Sequence, residues 1–155
     1  MGAKLYVDAN PKYLAYVLEG SGMAGSGYTA IPFGHTNMEA EYMAVIYGLN
    51  EYFLKWNKGL DARQSDYDVE ASVANKEPTF AEVASPSDKT KRPLPPPVLV
   101  ISDNEVVVKQ LSRQYHIGNS KLRKLAQRVW QMTQNLEVEF RWISRKENLA
   151  GKMLP

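Results

Sequence analysis

The chain has no cysteine and only two histidines, His35 and His116. Without cysteine there is no disulfide scaffold, no thiolate zinc site and no thiol nucleophile. Two imidazoles do not make a histidine-rich metal centre. A metal in this protein is therefore held by oxygen, which selects a hard ion such as Mg²⁺ or Mn²⁺. Long apolar runs are also missing, and none approaches the roughly 18 residues that span a bilayer. The opening Met1-Gly2-Ala3-Lys4-Leu5 lacks the charged start, apolar centre and small-residue cleavage site of a signal peptide. The expectation is an intracellular, cytoplasmic protein with no membrane partner. Net charge is small, at +2, yet uneven: from Glu105 onward ten Lys and Arg stand against four Glu. A basic second half suits phosphates or a solvated helical face.

What is present suits one domain spanning residues 1–155. Lys4-Leu5-Tyr6-Val7-Asp8-Ala9 alternates and is rich in β-formers, so it reads as a strand. Asn10-Pro11 signals a turn, and Tyr13 to Leu18 reads as a second strand. Gly20 to Gly27 reads as a turn. Tyr28 to Phe33 reads as a third strand, with Pro32 marking an edge. Thr36-Asn37-Met38-Glu39 fits a capping box with Thr36 as N-cap, opening a helix to about Trp56 whose apolar stripe includes Val45, Leu49, Tyr52 and Trp56.

Residues 57–97 hold six of the nine prolines, seven acidic and six basic residues, with little apolar periodicity. That composition predicts a flexible surface insertion ending in the stiff Pro93-Leu94-Pro95-Pro96-Pro97. Val98 to Ile101 is wholly apolar and predicts a buried central strand. Helices are expected over Glu105–Arg113 and Lys121–Gln134, a last strand over Val138–Ile143, and a short final helix over Glu147–Leu154. The order β-β-β-α-β-α-α-β-α predicts an α/β (α+β) fold, a five-stranded mixed sheet with helices on its faces.

Two acids end strand-like segments. Asp8 closes the first, where a turn residue is the alternative to a ligand. Asp103 follows the fourth, where a helix cap is the alternative. Glu41 differs. Val45, Leu49 and Tyr52 follow it at helical spacing, so it points along the apolar stripe in the first helical turn. A buried carboxylate without a partner is costly, and a metal or a cation removes that cost. If the strands of Asp8 and Asp103 are neighbours and the helix crosses them, the three acids meet. That arrangement suits two-metal phosphodiester hydrolysis, which needs no protein nucleophile.

These motifs together resemble the type 1 ribonucleases H. Tyr6-Val7-Asp8 is similar to the family's first-strand aspartate motif, and Thr36-Asn37-Met38-Glu39-Ala40-Glu41 to its Thr-Asn-Asn-x-x-Glu pattern. Val100-Ile101-Ser102-Asp103-Asn104 is similar to its Ser-Asp-Ser motif, and Phe140 to Asn148 to its last strand and exit. The resemblance covers nearly everything except residues 57–97. It implies a ribonuclease H fold and a two-metal endonuclease that cuts the RNA strand of an RNA–DNA hybrid and leaves 5′-phosphomonoesters. Asp8, Glu41 and Asp103 would be the catalytic metal ligands, with Mg²⁺ or Mn²⁺ bound. Asn10, Thr36, Asn37, Asn104, Arg145 and Lys146 would contact the hybrid.

The sequence departs from the family at Ala9, at Met38 and, most of all, in the tail. Where the family has Glu-Asn-x-x-Ala-Asp, this chain reads Glu147-Asn148-Leu149-Ala150-Gly151-Lys152. Ungapped alignment puts Lys152 on the aspartate, and a one-residue deletion puts Gly151 there. Asn148, through its amide oxygen, is the expected fourth ligand; a substrate contact or a helix cap is the alternative. Two other functions stand beside the leading one: a non-catalytic nucleic-acid-binding module with a degenerate site, and another nuclease of the same superfold.

Overall fold

The computed structural model describes residues 2–32, 34–74 and 93–155. Five strands form one mixed sheet: β1 (Ala3–Ala9), β2 (Tyr13–Glu19), β3 (Gly25–Ala30), β4 (Val98–Ser102) and β5 (Val138–Trp142), in the order β3-β2-β1-β4-β5. The meander β1-β2-β3 is antiparallel, whereas β4 lies parallel to both β1 and β5. The wholly apolar segment is thus an inner strand, flanked on both sides. The mixed sheet with helices is the predicted fold class. Among the described residues no helix is long and apolar enough to cross a membrane.

β3 begins earlier than its sequence suggests. Gly25 to Gly27 was expected in a turn, but this stretch is laddered to β2, with Gly25 opposite Leu18 and Ala30 opposite Tyr13. The ladder bonds hold it in a strand despite the low strand preference of glycine. Phe33, expected at its end, lies outside the described residues.

Helix α1 (Asn37–Ala74) starts where the capping signal places it, with the Thr36 hydroxyl accepting the Glu39 N–H at 3.1 Å. It buries Ala44, Val45, Leu49 and Tyr52 and packs on β1 and β2. Gly48 makes the approach close, since a Cβ there would lie 2.7 Å from Val7 Cγ1. Glu41 is two turns upstream of Gly48, so the glycine that lowers the helix onto β1 also carries Glu41 to the end of that strand. The Tyr52 hydroxyl donates to the Pro96 carbonyl and ties the helix to the approach of β4.

The helix does not stop near Trp56. It runs on to Ala74, so the first part of residues 57–97 is helical rather than irregular. The middle of the stretch, residues 75–92, lies outside the described residues, and so does what was expected of it as a flexible insertion.

Helix α2 (Glu105–Leu111) and helix α3 (Ser120–Thr133) are capped by Asn104 and Asn119. The Tyr42 hydroxyl donates to Gln110 Oε1 at 2.6 Å and joins α1 to α2 inside the core. The expected final helix is instead two 3₁₀ turns, Arg145–Glu147 and Leu149–Met153, separated by Asn148.

Candidate active site

Asp8 is the penultimate residue of β1, and Asp103 is the first residue after β4. The parallel register pairs Ala3 with Val98 and Tyr6 with Ile101. Continued two residues further, it sets Asp8 beside Asp103. Glu41 arrives from the first turns of α1. One carboxylate oxygen from each of the three lies within 4.8 Å of the others.

The alternatives for the two aspartates can now be decided. Asp8 lies within β1, and the turn that follows is made by Asn10, whose Oδ1 accepts the Lys12 and Tyr13 N–H groups at 2.9 and 2.7 Å. Asp103 is not the cap of α2. Asn104 is, accepting the Val107 N–H at 3.1 Å.

The cluster is electrostatically strained. Burial, then the charges of Asp8 and Asp103, push the Glu41 carboxyl up to about 8, against the opposing pull of Arg145. Asp8, 2% exposed, is pushed up to about 6 by burial and by Asp103, while the Ala9 N–H at 2.8 Å and the Arg145 charge pull it back. Among the described residues only two buried side-chain oxygens lack a hydrogen-bond partner, Glu41 Oε2 and Asp103 Oδ2, and both belong to this cluster. Three converging carboxylates with unpartnered buried oxygens fit divalent cations with hard-oxygen preference.

Asn148 reaches the site by a different route from a ligand's. It is 1% exposed. Its Nδ2 donates to the Val7 carbonyl at 2.9 Å, and its Oδ1 accepts the Ala150 N–H at 3.2 Å as cap of the last 3₁₀ turn. One end of the amide holds the tail against β1 and the other caps the tail's own last turn. Asn148→Ala leaves two buried backbone groups unpaired, so we expect about 2–4 kcal/mol of lost stability. Urea denaturation checks this, and an unchanged midpoint would contradict the bracing role.

Of the two tail positions left by the alignment, Lys152 is exposed. Gly151 faces the acids: a Cβ built on it would lie 2.9 Å from Asp8 Oδ2. Of these two positions it is therefore Gly151 whose backbone comes up against Asp8.

The residues expected to meet substrate are spread around this centre. Arg145 and Lys146 are exposed in the first 3₁₀ turn, and the Arg145 charge acts on both Asp8 and Glu41. Asn37 is exposed at the start of α1. Thr36 caps that helix. Asn10 Nδ2 turns toward the Pro155 carbonyl at 3.5 Å, and Asn104 Nδ2 toward the Met38 sulfur at 3.5 Å. One neighbour of the site escaped sequence reasoning. Trp142, read only as a strand residue, donates its Nε1–H to the Asp103 carbonyl at 3.0 Å.

Residues 95–154 match a family described as reverse transcriptase-like. No curated protein matches the chain's sequence. Solved structures share its fold. Ribonuclease H1 from the halophilic archaeon Halobacterium salinarum is 18% identical, with 98% of this chain and 95% of that one covered and a TM-score of 0.57. The N-terminal RNase H domain of a Mycobacterium tuberculosis protein is 16% identical over 99% and 95%, with a TM-score of 0.63. LC11-RNase H1, in complex with an RNA/DNA hybrid, is 16% identical over 97% and 91%, with a TM-score of 0.62. At these identities the likeness establishes the ribonuclease H-like fold. Together with the match over residues 95–154, it supports the ribonuclease H assignment that the motifs imply.

Proposed function

We propose that this ribonuclease H-fold chain is a metal-dependent endonuclease that hydrolyses the RNA strand of an RNA–DNA hybrid. The observation that carries the reading is the meeting of Asp8, Glu41 and Asp103 from three separate elements, with Glu41 Oε2 and Asp103 Oδ2 left unpartnered. These three side chains would hold Mg²⁺ or Mn²⁺. Bound there, such cations supply activation of a water and stabilisation of charge on the leaving oxygen.

The chain's own residues do the rest. The Ala9 N–H fixes one oxygen of Asp8 and leaves the other toward the site. Asn148 pins the tail to the β1 carbonyl next to Asp8. Arg145 supplies a positive charge at the rim, placed to meet a phosphate, with Lys146 beside it. Asn37 at the exposed start of α1 is available to a sugar or backbone. A 2′-hydroxyl is the feature by which such contacts tell RNA from DNA. That a solved protein of this fold is in complex with an RNA/DNA hybrid supports the substrate class. We expect 5′-phosphate products.

One observation favours a second reading, a nucleic-acid-binding module without cleavage: Gly151 stands where a fourth carboxylate would approach Asp8. A single assay separates the two. A labelled RNA–DNA hybrid is incubated with the protein and Mg²⁺ or Mn²⁺ separately, beside duplex DNA and duplex RNA. Cleavage of the RNA strand of the hybrid alone, dependent on the cation, is the expected result. Binding without cleavage under both cations turns the conclusion to the binding module, and cleavage of duplex DNA turns it to another nuclease of this fold.

A further inference from the structure

The apolar face of β5 outruns the core it serves. Val138 and Phe140 pack against the core, and Trp142 follows at the next position on the same face. Trp142 is not among the side chains packed there and is 48% exposed. Its partner on β4 is Ser102, the residue before Asp103. The indole therefore lies at the end of β4 from which Asp103 follows.

The ring is held rather than loose. Its Nε1–H donates to the Asp103 carbonyl at 3.0 Å, and the next residue, Ile143, bonds through its N–H to the Ser102 carbonyl at 3.1 Å. The contrast is Trp130, which likewise donates to a backbone carbonyl, that of Leu111 at 3.0 Å, but has the Arg113 guanidinium 3.9 Å over its ring. Among the described residues no ring or cation is stacked on Trp142. A large aromatic outside the core, half exposed, fixed by one edge and carrying no stacked ring or cation, is what a stacking platform for a base requires. Fixing the edge in advance also reduces the rotamer entropy lost on binding.

We propose that Trp142 is a nucleic-acid contact, stacking on a base or sugar of the strand bound at the acidic cluster. The assignment rests on the nuclease reading and adds a residue to it. Arg145, three residues on, would hold a phosphate on the same flank.

The test is hybrid affinity by fluorescence anisotropy with Ca²⁺ in place of Mg²⁺, for wild type, Trp142→Phe and Trp142→Ala. Loss of a stacked base weakens binding roughly 5- to 150-fold, and Trp142→Ala is expected in that range. Trp142→Phe keeps a π-face and should stay within about threefold of wild type on the same reasoning. Both variants should keep the Mn²⁺-induced rise in melting temperature, because the three carboxylates are untouched. Should the alanine variant not fold, Trp142→Leu, bulky but without a π-face, takes its place with the same expected loss. Wild-type affinity in the alanine or leucine variant overturns the assignment and leaves the nuclease reading standing. So does a phenylalanine variant as weak as the alanine one, since the Asp103 bond and not the ring face would then matter. A wild-type protein with no affinity for the hybrid overturns the nuclease reading, and the Trp142 contact falls with it.

Discussion

Glu41→Gln is expected to abolish cleavage while making the metal-free protein more stable at pH 9. The two effects come from the same cause. The Glu41 carboxyl is pushed up to about 8 from an ordinary value of 4.5, first by burial and then by Asp8 and Asp103. Between those two values the folded chain holds a proton that the unfolded chain has released. Stability therefore falls as pH rises through that window and is lowest above it. Glutamine keeps the shape and removes the charge. We expect no gain at pH 4, where both states of Glu41 are protonated. At pH 9 the gain should be at least about 1 kcal/mol, or ~2–4 °C in melting temperature for a chain of this size. Asp8→Asn should do the same over a narrower window, because Asp8 is raised only to about 6. Added Mg²⁺ should reverse the order, stabilising the wild type and not the variant. The activity loss should exceed ~100-fold, the upper end of what removing a mere supporting partner of a metal site costs. Melting curves at pH 4 and pH 9, in chelator and in Mg²⁺, give the first result, and hybrid cleavage gives the second. A variant that melts below wild type at pH 9 would show that the three carboxylates do not repel one another as their spacing implies.

The cost of burying a carboxylate also explains why the acids were legible in the sequence. A glutamate on the apolar stripe of a helix, followed by Val45, Leu49 and Tyr52, has no bland use. The apolar run Val98 to Ile101 demanded an inner strand, and that strand put Asp103 next to Asp8. Other features carried no such signal. Past Trp56 the helix enters sequence with Asp61, Arg63, Asp66, Asp68 and Glu70, where no apolar stripe marks the 3.6-residue period, so its continuation to Ala74 left no trace in the pattern. β3 is held by pairing with β2, a non-local cause that its glycines conceal.

The asparagines have a structural use that the motifs did not reveal. Asn10, Asn104 and Asn148 fall on or near motif positions, and resemblance offered them to substrate or metal. In the structure each oxygen accepts a backbone N–H, at a turn, a helix start and the last 3₁₀ turn respectively. Asparagine competes for local backbone donors wherever the chain bends, and motif positions at strand ends are where it bends. Linear spacing does not distinguish an amide that shapes the rim from one that faces a ligand.

Gly151→Ala is expected to weaken divalent-cation binding roughly 5- to 150-fold, the effect of the ~1–3 kcal/mol that overpacking costs. A Cβ at residue 151 lies 2.9 Å from Asp8 Oδ2, so one side must give. The tail is the more firmly held. Asn148 braces it to the Val7 carbonyl and to the Ala150 N–H, and the Gly151 N–H itself bonds to the Asn148 carbonyl at 3.2 Å. Asp8 has one bond in this set, from the Ala9 N–H. The carboxylate should therefore turn away, taking a ligand from the site while the fold stays intact. Melting temperature as a function of Mn²⁺ concentration reads the affinity, and the melting temperature in chelator checks the fold. Gly151→Asp brings the same crowding by its Cβ but adds a negative charge that attracts the cation, so its affinity should fall less than that of Gly151→Ala. Lys152→Asp, at an exposed position, should stay near wild type. If Gly151→Asp instead binds Mn²⁺ more tightly than wild type while Gly151→Ala binds it less, the tail can open enough to admit a fourth carboxylate. The absence of that carboxylate, rather than crowding at Asp8, would then set the metal requirement of this site.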